Sequence, residues 1–532
     1  MTRRFLALSA TGALLLATSG SGTVFAQKPG GVLKVYHWDS PASMSIHEEA
    51  TYSTVVPMMG VFNNLVMYKQ DEPINSMKSI VPDLATRWWW SEDGTRLTFA
   101  LRDGVKWHDG QPFAAADVKC TWDLLQGRPT ATLRTNPRTV WYQNLDHVSA
   151  DGEREATFHL KRPQPALLAF LASGFSPVYP CHVTARDMRQ HPIGTGPFKF
   201  VEFKPNEKIV VTKNRDYWKP DRPYLDGIEY TIITNRSTAI LGFTAGNFDM
   251  TFPYQVTIPL LKDIKSHAPQ AICELRPNNV RSTVVMNRTA PPFDNPDLRR
   301  AVALSLDRKS FIDILGEGQF AIGAVMMPPP EGLWGMPAEM LRTLPGYDPD
   351  VQKNRAEARL LMEKLGYGPD RRLQVKTVTR NLPDFRDNAV ILIDQLKSIY
   401  IDGELEAIDT VQWFPSMYRK DYQIGYSFSA GVADDPDDQF YTVYGCDAQL
   451  NYTGYCNHEL EQRFEQQSME TDPEKRRQLA WEIDRQLQEE VARPIIAHYR
   501  AATCWQPRVK GLTMMASSIF NGWRMEDVWL DR

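Results

Sequence analysis

The sequence predicts an α/β protein with more than one domain, and three observations support this fold class. The chain has 532 residues, more than a single hydrophobic core accommodates. Its composition, 42% hydrophobic and 23% charged, is typical of globular proteins. Towards the C-terminus, Leu373–Val378 and Leu405–Ile408 have the pattern of strands, and Asn388–Ile399 between them has the pattern of a helix. Such an alternation is typical of α/β domains.

Residues 1–26 are predicted to be a secretory signal peptide. Arg3 and Arg4 precede an apolar run from Phe5 to Ala17, and Val24–Ala26 has the small residues of a cleavage site. The run is too short for a membrane anchor. No cysteine lies near the cleavage site, which argues against a lipid anchor. We therefore expect export through the ordinary secretory route and a periplasmic location.

The stretch from Pro82 to Leu125 predicts a strand, tight turns and a helix. Apolar and other residues alternate in Leu97–Leu101, as in a strand with one buried face. Asp-Gly pairs at 93–94, 103–104 and 109–110 indicate turns, because glycine tolerates positive φ. Apolar residues then recur at spacings of three and four, which predicts the buried face of a helix: Ala115, Val118, Trp122 and Leu125.

The same stretch resembles a known protein family. The runs PDLATRWWW, LTFALRDGVKWHDGQPF and AADV are similar to the signature of the family-5 extracellular solute-binding proteins, which are the dipeptide, oligopeptide and nickel receptors of ABC importers. GTGPFKF, starting at Gly194, and the segment Val284–Arg308 match further parts of the family pattern. The resemblance covers nearly the whole chain after residue 26.

The resemblance implies a two-lobed periplasmic-binding-protein fold with an extra smaller domain, in which helices flank mixed sheets. The ligand cleft lies between the lobes, and hinge closure is the implied mechanism. The implied division of the chain is signal peptide 1–26, lobe I 27–67, 191–283 and 495–532, small extra domain 68–190, and lobe II, the ligand-binding α/β domain, 284–494.

The resemblance also implies a function, that of a periplasmic receptor of an ABC importer. Such a receptor captures a peptide-like or other small organic solute and delivers it to an inner-membrane permease. We expect no enzymatic activity, because hydrolase motifs such as G-x-S-x-G and H-E-x-x-H are absent from the sequence. We also expect a monomer without cofactor or metal, and a net charge of −4 argues against nucleic-acid binding. The alternatives are a metal or metallophore receptor, an exported hydrolase and a sensory receptor.

The family resemblance places the expected ligand contacts mainly in the second lobe. Arg386 aligns with the arginine that receives a carboxylate in dipeptide receptors, although a surface salt bridge is an alternative role, and Arg380 is a second candidate. The position that binds a ligand ammonium is occupied by Val432, which cannot hold a cation. A free peptide amine is therefore disfavoured, and peptide-like, opine-like, aromatic and sugar ligands stay open. Other candidates in the same loop are Ala433, Asp434 and Asp435.

Two more regions are candidates for ligand contact. In the family, the first loop reaches the cleft, which makes His47, Glu48 and Glu49 candidate contacts. The alternative is that these residues begin or cap a helix on the solvent side. Trp413 lies on a helix that is expected to edge the cleft, with core packing as its alternative role.

The six cysteines lie after the predicted signal peptide, and an exported protein meets an oxidising compartment in which disulfides form. Relatives carry a disulfide near the position of Cys446 and Cys456, so the resemblance implies that bridge. We interpret Cys120, within the predicted helix, as a buried free thiol. A bridge between Cys273 and Cys504 is a further hypothesis.

Overall fold

The computed structural model describes residues 27–128 and 132–532. The predicted signal peptide, residues 1–26, lies outside the described residues. In the described part of the chain, each helix falls short of the length and apolar character that a membrane crossing needs.

The strands of the described residues follow one another along the whole chain. In order they are β1 (Val32–His37), β2 (Val66–Tyr68), β3 (Ile80–Pro82), β4 (Ala85–Trp90), β5 (Arg96–Leu101), β6 (Leu145–Ala150), β7 (Glu155–Leu160), β8 (Phe198–Lys204), β9 (Lys208–Lys213), β10 (Gly227–Ile232), β11 (Ile272–Met286), β12 (Leu373–Arg380), β13 (Ile401–Ile408), β14 (Ile424–Ala430), β15 (Ile495–Trp505), β16 (Val509–Lys510) and β17 (Trp529–Leu530).

The helices lie between these strands. In order they are α1 (Tyr52–Met58), α2 (Ala115–Leu125), α3 (Leu167–Ala172), α4 (Ala185–Gln190), α5 (Arg236–Thr244), α6 (Ile258–His267), α7 (Pro296–Ser305), α8 (Arg308–Gly316), α9 (Ala338–Leu341), α10 (Val351–Lys364), α11 (Pro383–Leu396), α12 (Thr410–Arg419), α13 (Pro436–Tyr444), α14 (His458–Met469) and α15 (Pro473–Glu489). Short 3-10 helices occur at Met59–Val61, Met77–Ser79, Thr139–Tyr142 and Lys397–Ile399.

The strands pair into mixed sheets. One four-stranded sheet has the order β1-β10-β9-β8, with β1 and β10 parallel. A five-stranded sheet has the order β13-β12-β14-β11-β15, with β12 parallel to both β13 and β14 and the remaining pairs antiparallel. A second four-stranded sheet, β4-β5-β7-β6, is antiparallel. The pairs β2-β3 and β16-β17 complete the arrangement.

The predicted strand and helix between Pro82 and Leu125 are confirmed as β5 and α2. Leu97 and Phe99 are fully buried in β5, which pairs with β4 and β7. The N-cap of α2 is Ala114, which has no capping side chain, and its backbone N–H donates instead to Asp117 Oδ2 at 3.0 Å. The predicted face of α2 is buried: Ala115, Val118, Trp122 and Leu125.

The predicted strand, helix and strand near residues 373–408 are confirmed as β12, α11 and β13. The parallel pairing of β12 and β13 requires the crossover that α11 supplies. α11 begins at Pro383, five residues before the predicted start, because proline suits the first helical turn, where its missing N–H costs nothing. The N-terminal turn of α11 therefore follows directly after the end of β12.

The long strands β11 and β15 belong to the five-stranded sheet and extend to the neighbouring β1 sheet. They pair from Ile272 and Trp505 at one end to Thr283 and Ile495 at the other, with a register shift between them. Met250 bridges β1 on one side and Trp505 on the other, which joins the β1 sheet to the five-stranded sheet. The lobe boundaries predicted at 283/284 and 494/495 lie side by side at the Thr283–Ile495 pair.

All six cysteines form disulfides in the described chain. The predicted bridge Cys446–Cys456 is present, with a Cα–Cα distance of 4.6 Å, and so is Cys273–Cys504, which joins β11 to β15. The interpretation of Cys120 as a free thiol is wrong, because Cys120 pairs with Cys181. Asp117 of α2 accepts a hydrogen bond from the Cys181 backbone N–H, which holds the two cysteines together. The bridge fastens α2 to the segment before α4.

Candidate ligand-binding site

A cavity of about 440 Å³ lies against the five-stranded sheet. Its wall is built from distant parts of the chain: the segment after β1, the first turns of α11 and α12, the end of β14 and the middle of β15. The volume falls within the range of about 300–1,000 Å³ that is usual for small-molecule sites. The cavity is therefore the candidate site for a ligand of the size of a short peptide or a comparable organic molecule.

Aromatic side chains form much of the cavity wall. Trp38 and Tyr52 lie with their ring centroids 5.6 Å apart. Phe428 packs edge-on against Phe385 at 4.8 Å and against Tyr499 at 4.9 Å. Such rings bury apolar surface and offer π faces to planar groups. The wall therefore favours a ligand with an apolar or aromatic portion.

Arg380 lies in the cavity wall, as the sequence predicted for a ligand contact, but its charge is already paired. Its Nη2 donates to Asp39 Oδ2 at 2.7 Å and to Thr410 Oγ1 at 2.9 Å. Thr410 in turn donates to the other carboxylate oxygen of Asp39 at 2.9 Å. Asp39 follows β1 and Arg380 ends β12, so this buried ion pair joins the β1 sheet to the five-stranded sheet.

A second ion pair crosses the cavity nearby. Arg236 at the start of α5 pairs with Asp384 in the first turn of α11, and its other nitrogen lies 3.4 Å from Asp387. All three residues line the cavity. Burial raises the pKa of Asp384, and the neighbouring Arg236 counteracts this rise. Both ion pairs join distant segments of the chain at the cavity.

Arg386, the predicted carboxylate anchor, lies outside the set of described residues that line the cavity. Its side chain is exposed, and Nη1 donates to Asn381 Oδ1 at 3.1 Å. Asp384 and Asn388 of the same helix do line the cavity. Residues four apart share a helix face, and Arg386 lies midway between these two in sequence, so it points to another side of α11.

Val432 lies in the cavity wall, at the position predicted to correspond to ammonium binding in relatives. Its backbone N–H donates to Asp438 Oδ2 at 2.7 Å, and the N–H of Ala433 donates to the same oxygen at 3.4 Å. Ala433 itself lies outside the described cavity lining. The acidic residue of this segment that lines the cavity is Asp438, and burial raises its pKa to about 7. The signal for Asp438 in the sequence was its place in the acidic run that begins at Asp434.

The two candidate aspartates of the same loop also lie outside the described lining of the cavity. Asp435 caps α13 and forms a bidentate ion pair with Arg476, at 2.7 and 2.8 Å. Asp434 accepts a hydrogen bond at its backbone carbonyl from Trp334 Nε1, and burial raises the pKa of its side chain to about 7. Both residues therefore hold the loop before α13 in place.

The first-loop candidates are buried behind the cavity wall. His47 Nε2 lies 2.9 Å from the carbonyl oxygen of Pro177, and burial lowers the pKa of His47 to about 3. Glu48 accepts from the backbone N–H of Arg134 at 2.5 Å, and Glu49 accepts from its guanidinium at 3.1 Å. These three residues lie outside the described cavity lining, whereas the three that follow Glu49 belong to it. They position the wall from behind.

Trp413, the last predicted contact, does line the cavity. It is also part of a small hydrophobic cluster with Met417 and Tyr452, so the core-packing role that the sequence offered as an alternative is present as well. Arg493 precedes β15 and lines the cavity without having been a sequence candidate. Its signal was a lone arginine at the start of an apolar strand.

A grouping of three potential metal ligands occurs in the described residues at Cys446, Cys456 and His458. The two sulfur atoms are joined in a disulfide, so neither is available as a thiolate ligand. The arrangement therefore does not fit the donor set of a soft-metal site.

Comparison with known proteins gives the family. The profile of the bacterial extracellular solute-binding proteins, family 5, matches residues 79–451. A di/tripeptide-binding protein of Pseudomonas aeruginosa is 27% identical, over 85% of this chain and 85% of the relative. A glutathione-binding protein of Salmonella typhi is 27% identical, over 65% of this chain and 66% of the relative.

Solved structures share the whole fold. The periplasmic binding protein DppA of Helicobacter pylori, in complex with the peptide STSA, superposes with a TM-score of 0.81 at 22% identity, over 95% of this chain and 99% of the other. AgaA of Agrobacterium tumefaciens, in complex with agropinic acid, gives 0.82 at 21% identity, over 94% and 99%. The predicted two-lobed periplasmic-binding-protein fold is confirmed. The chain belongs to the family-5 bacterial extracellular solute-binding proteins.

Proposed function

We propose that this protein captures a peptide-like or other small organic solute in the aromatic cavity and delivers it to an inner-membrane ABC permease. Capture takes place in the periplasm, by a monomer, and involves binding without a chemical step. Relatives named as dipeptide-, tripeptide- and glutathione-binding proteins, and structures with bound peptides, support a peptide-like ligand. The complex of AgaA with agropinic acid supports the wider class of small organic solutes.

The observation that carries the proposal is the pair of ion pairs across the cavity. Asp39 with Arg380 and Arg236 with Asp384 connect chain segments that the proposed division assigns to different lobes. Closing the lobes forms these contacts and encloses the cavity, and opening them separates the partners and exposes it. We propose that the hinge lies where β11 and β15 pass between the lobes, at the Thr283–Ile495 pair.

Native mass spectrometry of residues 27–532, purified without refolding, tests the proposal. Receptors that enclose a solute between lobes retain it, so we expect a mass above that of the chain with its three disulfides. The same sample sprayed under denaturing conditions should give the bare chain. The difference between the two masses identifies the solute class.

A cavity-filling variant provides the control. Ala430→Trp places an indole at the end of β14, where residue 430 lines the cavity, and should abolish the extra mass. Ala116→Trp, on the exposed side of α2, makes the same chemical change away from the cavity and should retain it. If the wild type shows a bare mass and no peptide, opine, aromatic acid or sugar raises its Tm, the proposed function is wrong.

A further inference from the structure

The arginines of the cavity wall differ in what neutralises their charge. Three have a carboxylate within ion-pair distance, and one donates to two backbone carbonyls of the first loop. Among the described residues, Arg493 has neither kind of compensation. The five arginines and their partners are Arg236 with Asp384, Arg380 with Asp39, Arg500 with Glu331, Arg138 with the carbonyls of Ile46 and Glu49, and Arg493 with the hydroxyl of Thr283.

Arg493 is almost completely buried, with 3% of its surface exposed. Its Nε donates to Thr283 Oγ1 at 3.0 Å, whereas its Nη2 has no hydrogen-bond partner among the described residues. The guanidinium lies 5.4 Å from the ring centre of Tyr452. Burial lowers the pKa of Arg493, and the titratable groups that counteract this lowering are the phenols of Tyr444, Tyr452 and Tyr422, which are uncharged near neutral pH. A buried cation without an anion is costly, so this environment calls for one.

A second arginine reinforces the positive charge behind the same wall. Arg281 is fully buried, and its Nε and Nη1 have no partner among the described residues, while Nη2 donates to Ser429 Oγ and Gln439. Burial, with a smaller contribution from the charge of Arg493, lowers the pKa of Arg281 to about 10. The two arginines therefore repel each other inside the protein.

The acids near Arg281 neutralise this region incompletely. Asp438 and Asp484 act on Arg281, but burial raises their pKa values to about 7 and about 6. Asp484 accepts from the backbone N–H groups of Val325 and Met326, and Asp438 accepts from the loop before α13. Near neutral pH, Asp438 is therefore only partly ionised, so it compensates the charge of Arg281 incompletely.

We propose that the solute carries a carboxylate-type anionic group, which Arg493 binds beside Tyr452. The apolar part of the solute contacts the aromatic wall of the cavity. This inference rests on the proposed function and adds the chemical class of the ligand. It also moves the expected anion contact from Arg386 on α11 to the residue before β15. A carboxylate matches the planar fork of a guanidinium and supplies the anion that Arg493 lacks among the described residues.

The test compares acids with their uncharged carboxamides. The probes are phenylalanyl-phenylalanine and 3-phenylpropionate, each beside its carboxamide, and binding is measured by thermal shift and calorimetry at pH 7.5. For the wild type we expect at least one acid to bind about 30-fold or more tightly than its carboxamide, the factor for a charge-assisted hydrogen bond. Arg493→Gln should remove this preference by weakening the acid to the level of the carboxamide.

Two further variants guard against misinterpretation. Arg300→Gln removes a part-exposed arginine that pairs with Glu357 and lies outside the described cavity lining, and it should keep the preference for the acid within about threefold. Arg493→Lys retains the charge and should bind the acid more tightly than Arg493→Gln does. This order separates a loss of charge from a loss of folding, because both variants alter the same buried position.

The outcomes distinguish this inference from the proposed function. Equal binding of acid and carboxamide, a preference that survives in Arg493→Gln, or no binding of either acid overturns the inference. A solute retained in native mass spectrometry leaves the proposed function standing in each of those cases. If no solute is retained and the wider ligand screen also fails, both the inference and the proposed function are wrong.

Discussion

Two arginines of the cavity wall lie near Tyr452, and the protein treats their charges differently. Arg380 lies 2.7 Å from Asp39, and Thr410 hydrogen-bonds to both. Arg493 is also buried, but it has no carboxylate within ion-pair distance among the described residues. The protein thus offsets the cost of burying the Arg380 cation. For Arg493, the missing anion is left to the solute.

Because of this difference, Arg380 and Arg493 have different roles. The Arg380 pair connects segments of different proposed lobes, so its energy contributes to closure whatever the solute is. The Arg493 charge gains an anion only when a solute of the right class is present, so its energy contributes to specificity. A buried cation that lacks an anion favours ligands that carry one. Ligands without an anionic group bind more weakly, because they leave the buried charge unpaired.

Breaking the Asp39–Arg380 ion pair should have the largest effect on stability. Asp39→Ala leaves the buried guanidinium of Arg380 without its anion, which destabilises proteins by about 3–5 kcal/mol. We expect a loss of that size in the free energy of unfolding of the closed, solute-bound protein, in which the ion pair is formed, measured by denaturant titration. The double variant Asp39→Leu with Arg380→Met removes both charges and should recover most of the loss. Equal losses in the single and double variants would show that the ion pair is not the source.

The cavity wall contains a titrating acid, Asp438, which gives the second prediction. The pKa of Asp438 is raised by burial to about 7, so the folded protein holds this proton at pH values where the unfolded chain has released it. Stability therefore falls as pH rises from about 4 towards 7. Asp438→Asn removes this contribution, and we expect it to reduce the loss of unfolding free energy between pH 5 and pH 8 by about 2 kcal/mol.

Asp434 and Asp484 also have raised pKa values, about 7 and about 6, and their contributions persist in the Asp438 variant. The comparison of wild type with Asp438→Asn at each pH isolates the contribution of residue 438. Parallel stability curves for the two proteins across this pH range would contradict the assignment.

Removing the unpaired cation gives the third prediction, which has the opposite sign from the first. Arg493→Met replaces a buried charge that lacks an anion with an apolar chain of similar length, so the desolvation cost of the charge disappears. We expect the unliganded protein to gain about 1–2 kcal/mol in unfolding free energy, measured after the solute has been removed by unfolding and refolding. A loss of stability would mean that Arg493 acts mainly as a structural residue through Thr283.

Sequence reasoning recovers the local parts of this structure and misses contacts between distant segments. The alternation around Leu97 and Phe99 and the spacing from Ala115 to Leu125 reflect local burial, and both elements are confirmed. The Cys120–Cys181 bridge depends on how α2 packs against a segment 61 residues away, which helical periodicity does not encode. The resemblance to a family located the cavity segments, and its candidates Arg380, Val432 and Trp413 line the cavity, whereas its other candidates lie outside the described lining.

Offsets of a few residues along the chain explain most of the difference between the predicted ligand contacts and the residues that line the cavity. In the first loop, His47–Glu49 lie behind the wall and the three residues after them line it. On α11, Asp384 and Asn388 line the cavity while Arg386, between them, is exposed. A shift of two residues along a helix turns a side chain to another face, and pattern matching does not resolve such a shift. Arg493 was missed because its significance lies in the absence of a nearby acid, which depends on tertiary structure.

Arg386 gives the smallest expected effect and the sharpest test of which residue anchors the anion. Its guanidinium is exposed and donates to Asn381, so Arg386→Ala should change the unfolding free energy by no more than about 0.5 kcal/mol. We also expect the acid-to-carboxamide preference to stay within about threefold of the wild type, since the residue lies outside the described cavity lining. A loss of that preference in Arg386→Ala, with Arg493→Gln unaffected, would instead establish the contact that the family resemblance predicted. α11 would then have to rotate on binding to bring Arg386 into the cavity, and the first turn that carries Asp384 would have to move with it.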